Sequence, residues 1–457
     1  MSWGSRFYRQ KGRITMDENE LMGSMKVSKA VAKMAIPSVI SSLVTVVYNM
    51  ADTFFVGQTG DPLQVAAVSL TNPIFILFMA FANMFGMGGS AAASMALGEK
   101  KEKRVKQVSS FVTYASLIVG IVFAVILLVG MQPVLQLFGA DADTYELAKG
   151  YTTYISYGAP FIIWSAAASF VVRADGASRE AMTGSMIGTV ANIILDPIFI
   201  SGFGMGAAGA AIATTIGNIM ASVYYLWYFC RKSRNMSMAF RYFKCGDKIL
   251  SQVCSAGLPT AIFSALMSIS TIILNQILVA YGNAPVAAIG IVFKANMFIT
   301  FLQMGLANGV QPLLGYSYGA GNRERFIAVE RYTKKCCLIV GVLATALFFF
   351  FREPIIRLFI SDTEVINYGV EMLIAYMISG PVIGILFMNM NCMQSTGNAL
   401  LATILSILRQ GVLLIPVLYG LNALLGLHGV IYGQALTDYV AVLLSIVIWR
   451  WKRRKTL

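Results

Sequence analysis

The chain carries one pattern of prolines, glycines and turn residues twice. Gly98 and Gly319 are separated by 221 residues, the same displacement relates most other pairs, and a one-residue adjustment extends the match at both ends. The pairs are Pro37/Pro259, Gly98/Gly319, Pro133/Pro354, Phe138/Phe359, Asp141/Asp362, Pro160/Pro381, Gly176/Gly397 and Gly209/Gly429. Because proline restricts and glycine widens the accessible backbone angles, the shared register predicts two copies of one backbone path.

Both copies are strongly apolar. Hydrophobic residues make up 57% of the chain and charged residues 12%, whereas soluble domains carry about 25% charged residues. Stretches of the roughly 20 apolar residues that a helix needs to cross a bilayer recur along the chain. We predict twelve spans, at 30–56, 63–92, 106–130, 147–172, 181–202, 207–230, 250–281, 287–316, 328–351, 366–392, 399–421 and 428–450. The predicted fold is an all-α integral membrane protein with twelve transmembrane helices in two six-helix repeats.

Duplicated halves in such a chain are typical of transporters, whose substrate path lies between the repeats. The predicted division is a cytoplasmic N-terminal arm (1–25), an N-lobe of six helices (26–235), a cytoplasmic linker (236–248), a C-lobe of six helices (249–450) and a cytoplasmic tail (451–457). The loops on the side opposite the linker are short, so we expect no external domain. The function should therefore reside in the helical bundle.

The basic residues indicate the orientation of the bundle. The chain has 35 Lys and Arg against 21 Asp and Glu, for a net charge of +14. Most basic residues fall on one side of the spans, in the runs 100–106, 173–179, 231–248, 323–335 and 450–455. Because basic loops stay in the cytoplasm, we predict that both termini lie inside. The expected location is a bacterial or archaeal cytoplasmic membrane. The expected partners are the lipid bilayer and small organic molecules, with no nucleic acid, and the expected state is a monomer.

Several kinds of catalytic and metal chemistry are absent from the sequence. A single His428 excludes an H-E-x-x-H zinc site, the six cysteines lack metal-binding spacing, and no Walker loop for ATP is present. We expect neither a cofactor nor enzymatic activity, so an ion gradient or a partner would drive transport. An intramembrane hydrolase that uses an aspartate pair is the alternative of another class, although the Gly-x-Gly-Asp element of such proteases is missing.

Ionisable residues within spans are energetically costly and point to functional sites. They are Asp52, Asp196, Lys294, Arg409 and Asp438. Asp52 and Asp196 precede the predicted outer ends of their spans by about five and six residues, which places both roughly 8–9 Å below those ends at about 1.5 Å per residue. We therefore expect the two carboxylates at one depth of the N-lobe.

Further oxygen atoms are expected beside Asp196. Asn192 lies one helical turn earlier, and Pro197 leaves a backbone carbonyl without its helical donor. Thr214 in the sixth span reaches a similar depth. The oxygens of Asp52 and these residues suit a sodium ion, and they suit a proton relay equally well. A buried hydrogen bond that only fixes packing is the alternative.

The second copy has no carboxylate at the corresponding positions. Asp52 corresponds to the stretch 273–275, Asp196 to Val417 and Thr214 to Gln434. A purely structural requirement would be expected in both copies. The difference therefore favours ion coupling in the N-lobe.

Other polar and flexible residues within spans indicate a substrate cavity. The expected lining residues are Tyr48, Asn49, Met50, Lys294, Gln303 and Asn389. Lys294 has two alternative roles, as the partner of an acid or as a side chain that snorkels toward the membrane surface. Arg409 and Asp438 could be each other's partner, in which case both are structural.

Four motifs resemble the multidrug and toxic compound extrusion (MATE) family, and the resemblance covers nearly the whole chain, from Lys26 to Lys452. The motifs are Ala35-Ile-Pro, Asp52-Thr-Phe-Phe-Val-Gly, Asn192-Ile-Ile-Leu-Asp-Pro and Gln311-Pro-Leu-Leu-Gly-Tyr-Ser-Tyr-Gly-Ala. Each motif alone is weak, but together with the six-plus-six duplication the match is specific.

The resemblance implies a secondary active multidrug efflux antiporter, with two lobes around a V-shaped cavity. Such proteins export organic, often cationic and amphipathic compounds in exchange for H⁺ or Na⁺. The resemblance also implies that Asp52 is the main coupling carboxylate and that Asn192, Asp196 and Thr214 are its partners. Some branches place coupling carboxylates on the seventh and tenth spans, where this chain has amides and no deep acid. A lipid-linked saccharide flippase is the alternative transporter, but those typically have fourteen spans and a strongly cationic cavity.

Overall fold

The computed structural model describes residues 20–59 and 61–456, and these contain no β-strand. The spans are α1 Val27–Gly57, α2 Pro62–Gly98, α3 Glu102–Val129, α4 Tyr145–Ala174, α5 Ser178–Gly202, α6 Gly206–Lys232, α7 Ile249–Val279, α8 Asn283–Gly319, α9 Arg323–Phe350, α10 Thr363–Ile378 with Gly380–Ser395, α11 Ala399–Leu425 and α12 Leu427–Thr456. Eleven are long and apolar enough to cross a membrane as single helices, and the bent pair α10 makes twelve within the described residues. The predicted class and number of spans are confirmed. Of the predicted N-terminal arm, residues 1–19 lie outside the described residues.

The two halves follow one backbone path, as predicted. The short helices Met131–Leu137 and Arg352–Arg357 follow α3 and α9 at equivalent positions. Gly176 and Gly397 follow α4 and α10 with φ of +87° and +74°, a conformation that favours glycine. The duplicated glycines thus mark turns that both halves require.

The halves differ in the fourth helix of each repeat. α4 continues through Pro160, whereas α10 is bent by 45° just before Gly380. Gly380 precedes Pro381, while an alanine precedes Pro160. Because glycine destabilises a helix and proline removes a backbone donor, the combination ends the first helix. The predicted single span 366–392 is therefore two helices.

Both described chain ends lie at one end of the bundle, which we call the terminal end. Arg325, at the start of α9, donates to the backbone carbonyls of Leu21, Met22 and Met25 at 3.0, 2.8 and 2.7 Å. Arg453, near the end of α12, contacts Glu330 of α9 at 3.2 Å. The start of α9 is therefore a neighbour of both chain ends.

A second arginine makes the equivalent contact in the other half. Arg104, which is 221 residues before Arg325, donates to the Asp247 carbonyl at 2.8 Å and to the Gln252 side chain at 2.9 Å. Each arginine thus holds the segment that leads into the first helix of the opposite lobe. We call Arg104 and Arg325 the arginine clasp.

The lobes meet along α1, α2, α7 and α8 in a seam of small residues. The repeat-related Gly98 and Gly319 face each other across it, since a Cβ added to Gly98 would lie 3.0 Å from the Gly319 carbonyl carbon. A Cβ at Gly309 on α8 would lie 2.9 Å from the Ala35 Cα on α1. Small residues permit such close approach between membrane helices. These contacts lie in the halves of the helices nearest the terminal end.

Beyond the seam the lobes diverge. A Cβ at Gly305 on α8 would lie 2.9 Å from the Val39 Cα on α1, but no described atom lies within 4 Å of a Cβ at Gly290. Gly290 is exposed and lies about 22 Å farther along α8, at about 1.5 Å per residue. The space between the lobes on this side, which we call the central cleft, gives the V shape implied by the family resemblance. The V is closed at the terminal end and open at the opposite end.

Candidate ion and substrate sites

Three helices of the N-lobe bring a set of polar side chains together, which we call the N-lobe cluster. Asn192 and Asp196 extend from α5, Thr214 from α6 and Tyr48 from α1. The first three are buried, and the Tyr48 hydroxyl lies 3.3 Å from the Thr214 hydroxyl. The predicted proximity of Asn192, Asp196 and Thr214 is therefore present in the structure, and their role in ion coupling stays a prediction.

The Asn192 amide links the members of the cluster. In the orientation that satisfies its donor and acceptor atoms, Nδ2 donates to an Asp196 carboxylate oxygen at 3.0 Å. The amide oxygen then accepts from the Thr214 backbone N–H at 3.0 Å and from the Thr214 hydroxyl at 3.2 Å. This orientation is assigned from the hydrogen-bond network, as is usual for amides. It holds the carboxylate against α6.

Close packing of α5 against α6 makes these contacts possible. Gly188 on α5 and Gly217 on α6 face each other, because a Cβ at Gly217 would lie 2.6 Å from the Gly188 carbonyl oxygen. Asn192 lies one turn after Gly188, and Thr214 lies about one turn before Gly217. Beyond Asp196, the helix continues through Pro197 into a wider π turn, since proline cannot donate the usual helical hydrogen bond.

Asp52 adds a second carboxylate to the N-lobe cluster. It is half-buried on α1, one helical turn after Tyr48 and so on the same side of the helix. Among the described residues, neither carboxylate forms an ion pair with a lysine, arginine or histidine. A buried and a half-buried negative charge that share no counter-ion are unfavourable. The arrangement therefore favours an added sodium ion or proton, and its oxygen atoms fit either.

Two tyrosines belong to this cluster in ways that the sequence did not indicate. Tyr48 was expected in the substrate cavity, but its hydroxyl contacts Thr214 inside the N-lobe. Tyr151 on α4 was not predicted as a site residue, and it packs against Val56 of α1, Ile200 of α5 and Ala210 of α6, each four residues from Asp52, Asp196 or Thr214 along its helix. In the sequence, Tyr151 is only one hydroxyl group near the start of an apolar span, which is a weak indication of a functional site. Asn49 and Met50 are half-buried on α1 beside Tyr48.

Two residues predicted to line the substrate cavity lie inside the C-lobe instead. Gln303 is fully buried, and its Nε2 donates to the Cys337 carbonyl at 2.9 Å and to the Gly380 carbonyl at 3.4 Å. Asn389 is also fully buried, and its Nδ2 donates to the Ser445 hydroxyl at 2.9 Å. Both side chains point into the lobe, so the cavity prediction is wrong for them in this conformation.

Arg409 and Asp438 form a buried ion pair, which confirms that they are partners. Arg409 Nε donates to Asp438 Oδ1 at 2.8 Å, and Asp438 also accepts from the Ser379 hydroxyl at 2.8 Å and from Gln434 Nε2 at 3.0 Å. The next residue, Tyr439, donates to the Ile378 carbonyl at 2.9 Å. We call this set the C-lobe cluster. These contacts stabilise the break in α10. They fit the interpretation that Arg409 and Asp438 have a structural role.

Lys294 is exposed on α8, eleven residues before Gly305. Eleven residues are close to three helical turns, so Lys294 lies on the side of α8 that touches α1 at the seam. Farther from the terminal end this side faces the central cleft. The position is consistent with the predicted cavity lining.

Comparison with known protein families supports the two-copy architecture. A sequence model of the MatE family matches the chain twice, at residues 37–198 and 259–419. The two matches begin at Pro37 and Pro259, which are the paired prolines of the repeat. Together the matches cover more than half of the chain.

Individual relatives agree with this result. The chain is 32% identical over 422 residues to the multidrug export protein MepA of Staphylococcus saprophyticus and to that of Staphylococcus aureus, covering 92% of this chain and 93% of each relative. It superposes with a TM-score of 0.90 and 25% identity on an outward-facing multidrug resistance MATE family transporter of the MOP superfamily, covering 95% of this chain and 97% of that one. These similar proteins are transporters, which argues against the hydrolase alternative. The chain therefore belongs to the MatE family, the multidrug and toxic compound extrusion transporters that its motifs resemble.

Proposed function

We propose that the protein is a secondary active efflux antiporter that exports organic, cationic amphipathic compounds in exchange for H⁺ or Na⁺. The observation that supports this proposal is the N-lobe cluster, in which Asp52 and Asp196 have no basic partner among the described residues. The multidrug export function named for the MepA relatives supports organic compounds as cargo.

The chemistry of exchange follows from charge balance. Asp52 and Asp196 together bear two negative charges in a poorly solvated site, so they bind either a small cation or the cationic group of a substrate more favourably than both at once. The Asn192 amide and the hydroxyls of Thr214 and Tyr48 orient Asp196 and can complete an oxygen shell around sodium. When the coupling ion is a proton, a carboxylate takes it directly. Each elementary charge that crosses the membrane supplies about 2.3 kcal/mol per 100 mV.

Alternating access would use the seam as its moving contact. The lobes are similar rigid bodies, and transporters built from repeats expose their site by rocking such bodies against each other. In this structure the central cleft is open away from the terminal end. We propose that the terminal end is cytoplasmic, because the basic loops are expected there, so the structure represents an outward-open state of a bacterial inner-membrane protein.

The test is dye efflux by the purified full chain in proteoliposomes, driven first by a sodium gradient and then by a proton gradient. One of the two gradients should drive transport of a fluorescent organic cation, and this result identifies the coupling ion. Asp52→Asn should abolish gradient-driven transport at unchanged protein level. Asp143→Asn, which changes an exposed carboxylate near the same end of the bundle, should behave as the unchanged protein. Normal transport by Asp52→Asn would contradict the proposal.

A further inference from the structure

Lys294 occupies a defined place on the wall of the central cleft. On α8, the buried residues Ala288, Val292, Ala295 and Ile299 face the interior of the C-lobe. Lys294 lies on the opposite side and is exposed. Nearer the terminal end, this side packs against α1 through Gly305 and Gly309. Because the N-lobe lies on this side of α8, Lys294 faces the cleft between the lobes and not the surrounding lipid.

Lys294 lies at about the same depth as Asp52 on α1 of the N-lobe. Gly305 meets α1 at Val39. From this contact, Lys294 is eleven residues away along α8 and Asp52 is thirteen residues away along α1, both toward the open end. At about 1.5 Å per residue these separations are about 16 and 19 Å. A molecule bound at this depth therefore has the half-buried Asp52 carboxylate on its N-lobe side and the Lys294 ammonium on its C-lobe side.

Lys294 is available to a ligand in this conformation. Among the described residues it forms no ion pair with an aspartate or glutamate. The other basic residue deep in the C-lobe, Arg409, is already paired with Asp438. Charges that face a cleft with apolar walls act more strongly than charges on an open surface. Lys294 should therefore attract an anionic group and repel a second cationic group.

We infer that Lys294 makes the cleft selective for amphipathic compounds that carry a carboxylate as well as a basic group. This inference rests on the proposed function, because it concerns the substrates that the antiporter exports. The basic group of such a compound would face Asp52, and its carboxylate would pair with the Lys294 ammonium. A compound with only the basic group can pair with Asp52 but leaves the Lys294 ammonium without an anionic partner.

The experiment compares two dyes that differ in one group. Rhodamine 6G is a monocation with an esterified carboxyl, and rhodamine 19 is the same fluorophore with a free carboxylate. Affinities for the detergent-purified full chain are measured by fluorescence polarisation, and transport is measured in proteoliposomes. The unchanged protein should bind rhodamine 19 more tightly than rhodamine 6G.

Three variants at one position test the cause of this preference. Lys294→Met should weaken rhodamine 19 binding about fivefold, as expected for a partly solvated ion pair, and should leave rhodamine 6G binding equal or tighter. Lys294→Glu should reverse the preference, and Lys294→Arg should retain it. Lys149→Met is the matched control, because Lys149 lies near the same end of the bundle and pairs with Glu146 at the start of α4.

The failures of the two proposals are distinguishable. If the unchanged protein transports the dyes but the ratio of their affinities is the same in Lys294→Met, the inference about Lys294 is overturned and the antiporter proposal stands. If the unchanged protein transports neither dye under either gradient, the antiporter proposal fails, and the inference fails with it.

Discussion

The two lobes share a backbone path but treat buried charge in opposite ways. In the N-lobe cluster, Asp52 and Asp196 have no basic partner among the described residues. In the C-lobe cluster, Asp438 is paired with Arg409 at 2.8 Å and accepts a further hydrogen bond from Ser379. The carboxylate of the C-lobe cluster is therefore balanced by an arginine, whereas the carboxylates of the N-lobe cluster are not. Duplication thus supplies a common scaffold, and the proposed uptake and release of a cation depends on what differs between the copies.

The largest expected effect is the loss of transport when the N-lobe cluster loses one of its carboxylates. Asp196→Asn keeps a hydrogen-bonding side chain beside Asn192 but removes a charge, so gradient-driven dye efflux should fall to the level of protein-free liposomes while the thermal unfolding temperature changes little. The measurement is efflux together with thermal unfolding in detergent. Efflux at the normal rate would remove Asp196 from the coupling site.

The second prediction concerns stability in the C-lobe cluster. Asp438→Leu leaves the Arg409 guanidinium buried without its partner, which should lower the free energy of unfolding by about 3–5 kcal/mol. The double variant Arg409→Met/Asp438→Leu removes both charges and should recover most of this loss. Reversible unfolding in mixed detergent measures both values. A double variant as unstable as the single one would show that the ion pair is not the source of the effect.

The third prediction concerns the arginine clasp, whose contacts cross between the lobes at the terminal end. Arg325→Gln removes hydrogen bonds to three backbone carbonyls, and Arg104→Gln removes one carbonyl contact and one amide contact. At about 0.5–1.5 kcal/mol for each hydrogen bond, both changes should increase the population that is open at the terminal end, with the larger shift for Arg325→Gln.

Distances between spin labels on α3 and α9 measure this opening. With the native cysteines replaced, labels at Lys103→Cys and Glu324→Cys should show a growing long-distance component in both clasp variants. The exposed Arg331 on α9 provides the control variant Arg331→Gln, for which no change is expected. Unchanged distances in both clasp variants would mean that the clasp does not hold the terminal end closed.

The smallest expected effect compares corresponding residues of the two copies. Thr214→Val removes one hydroxyl from the N-lobe cluster and should raise the half-saturating concentration of the coupling ion by about two- to tenfold, since a single hydrogen bond contributes about 0.5–1.5 kcal/mol. Gln434→Leu changes the corresponding position in the C-lobe and should leave this concentration unchanged. Equal effects at the two positions would contradict ion coupling confined to the N-lobe.

Sequence reasoning succeeded where residues are close along the chain or related by the repeat. Asn192 and Asp196 are one helical turn apart, so their contact follows from helix geometry. It failed for Gln303 and Asn389, which are polar residues in spans and were therefore expected in the cavity. Whether a helical face points into a lobe or toward the cleft depends on which helices pack on each side, and hydropathy does not record this in spans that are apolar all round.

The sequence by itself determined the twelve spans, the duplication and the absence of a carboxylate from the C-lobe positions that correspond to Asp52 and Asp196, because hydropathy, backbone restriction and residue identity are properties of short segments. Only the tertiary structure decided that Tyr48 and Tyr151 join the N-lobe cluster, and that Arg409 is neutralised by Asp438. It also decided that the repeat-related Arg104 and Arg325 each contact the segment that leads into the opposite lobe. Each of these outcomes depends on contacts between helices far apart in the chain. Such contacts are set by the packing of small residues such as Gly98, Gly188 and Gly319, which brings the helices within hydrogen-bonding distance of one another.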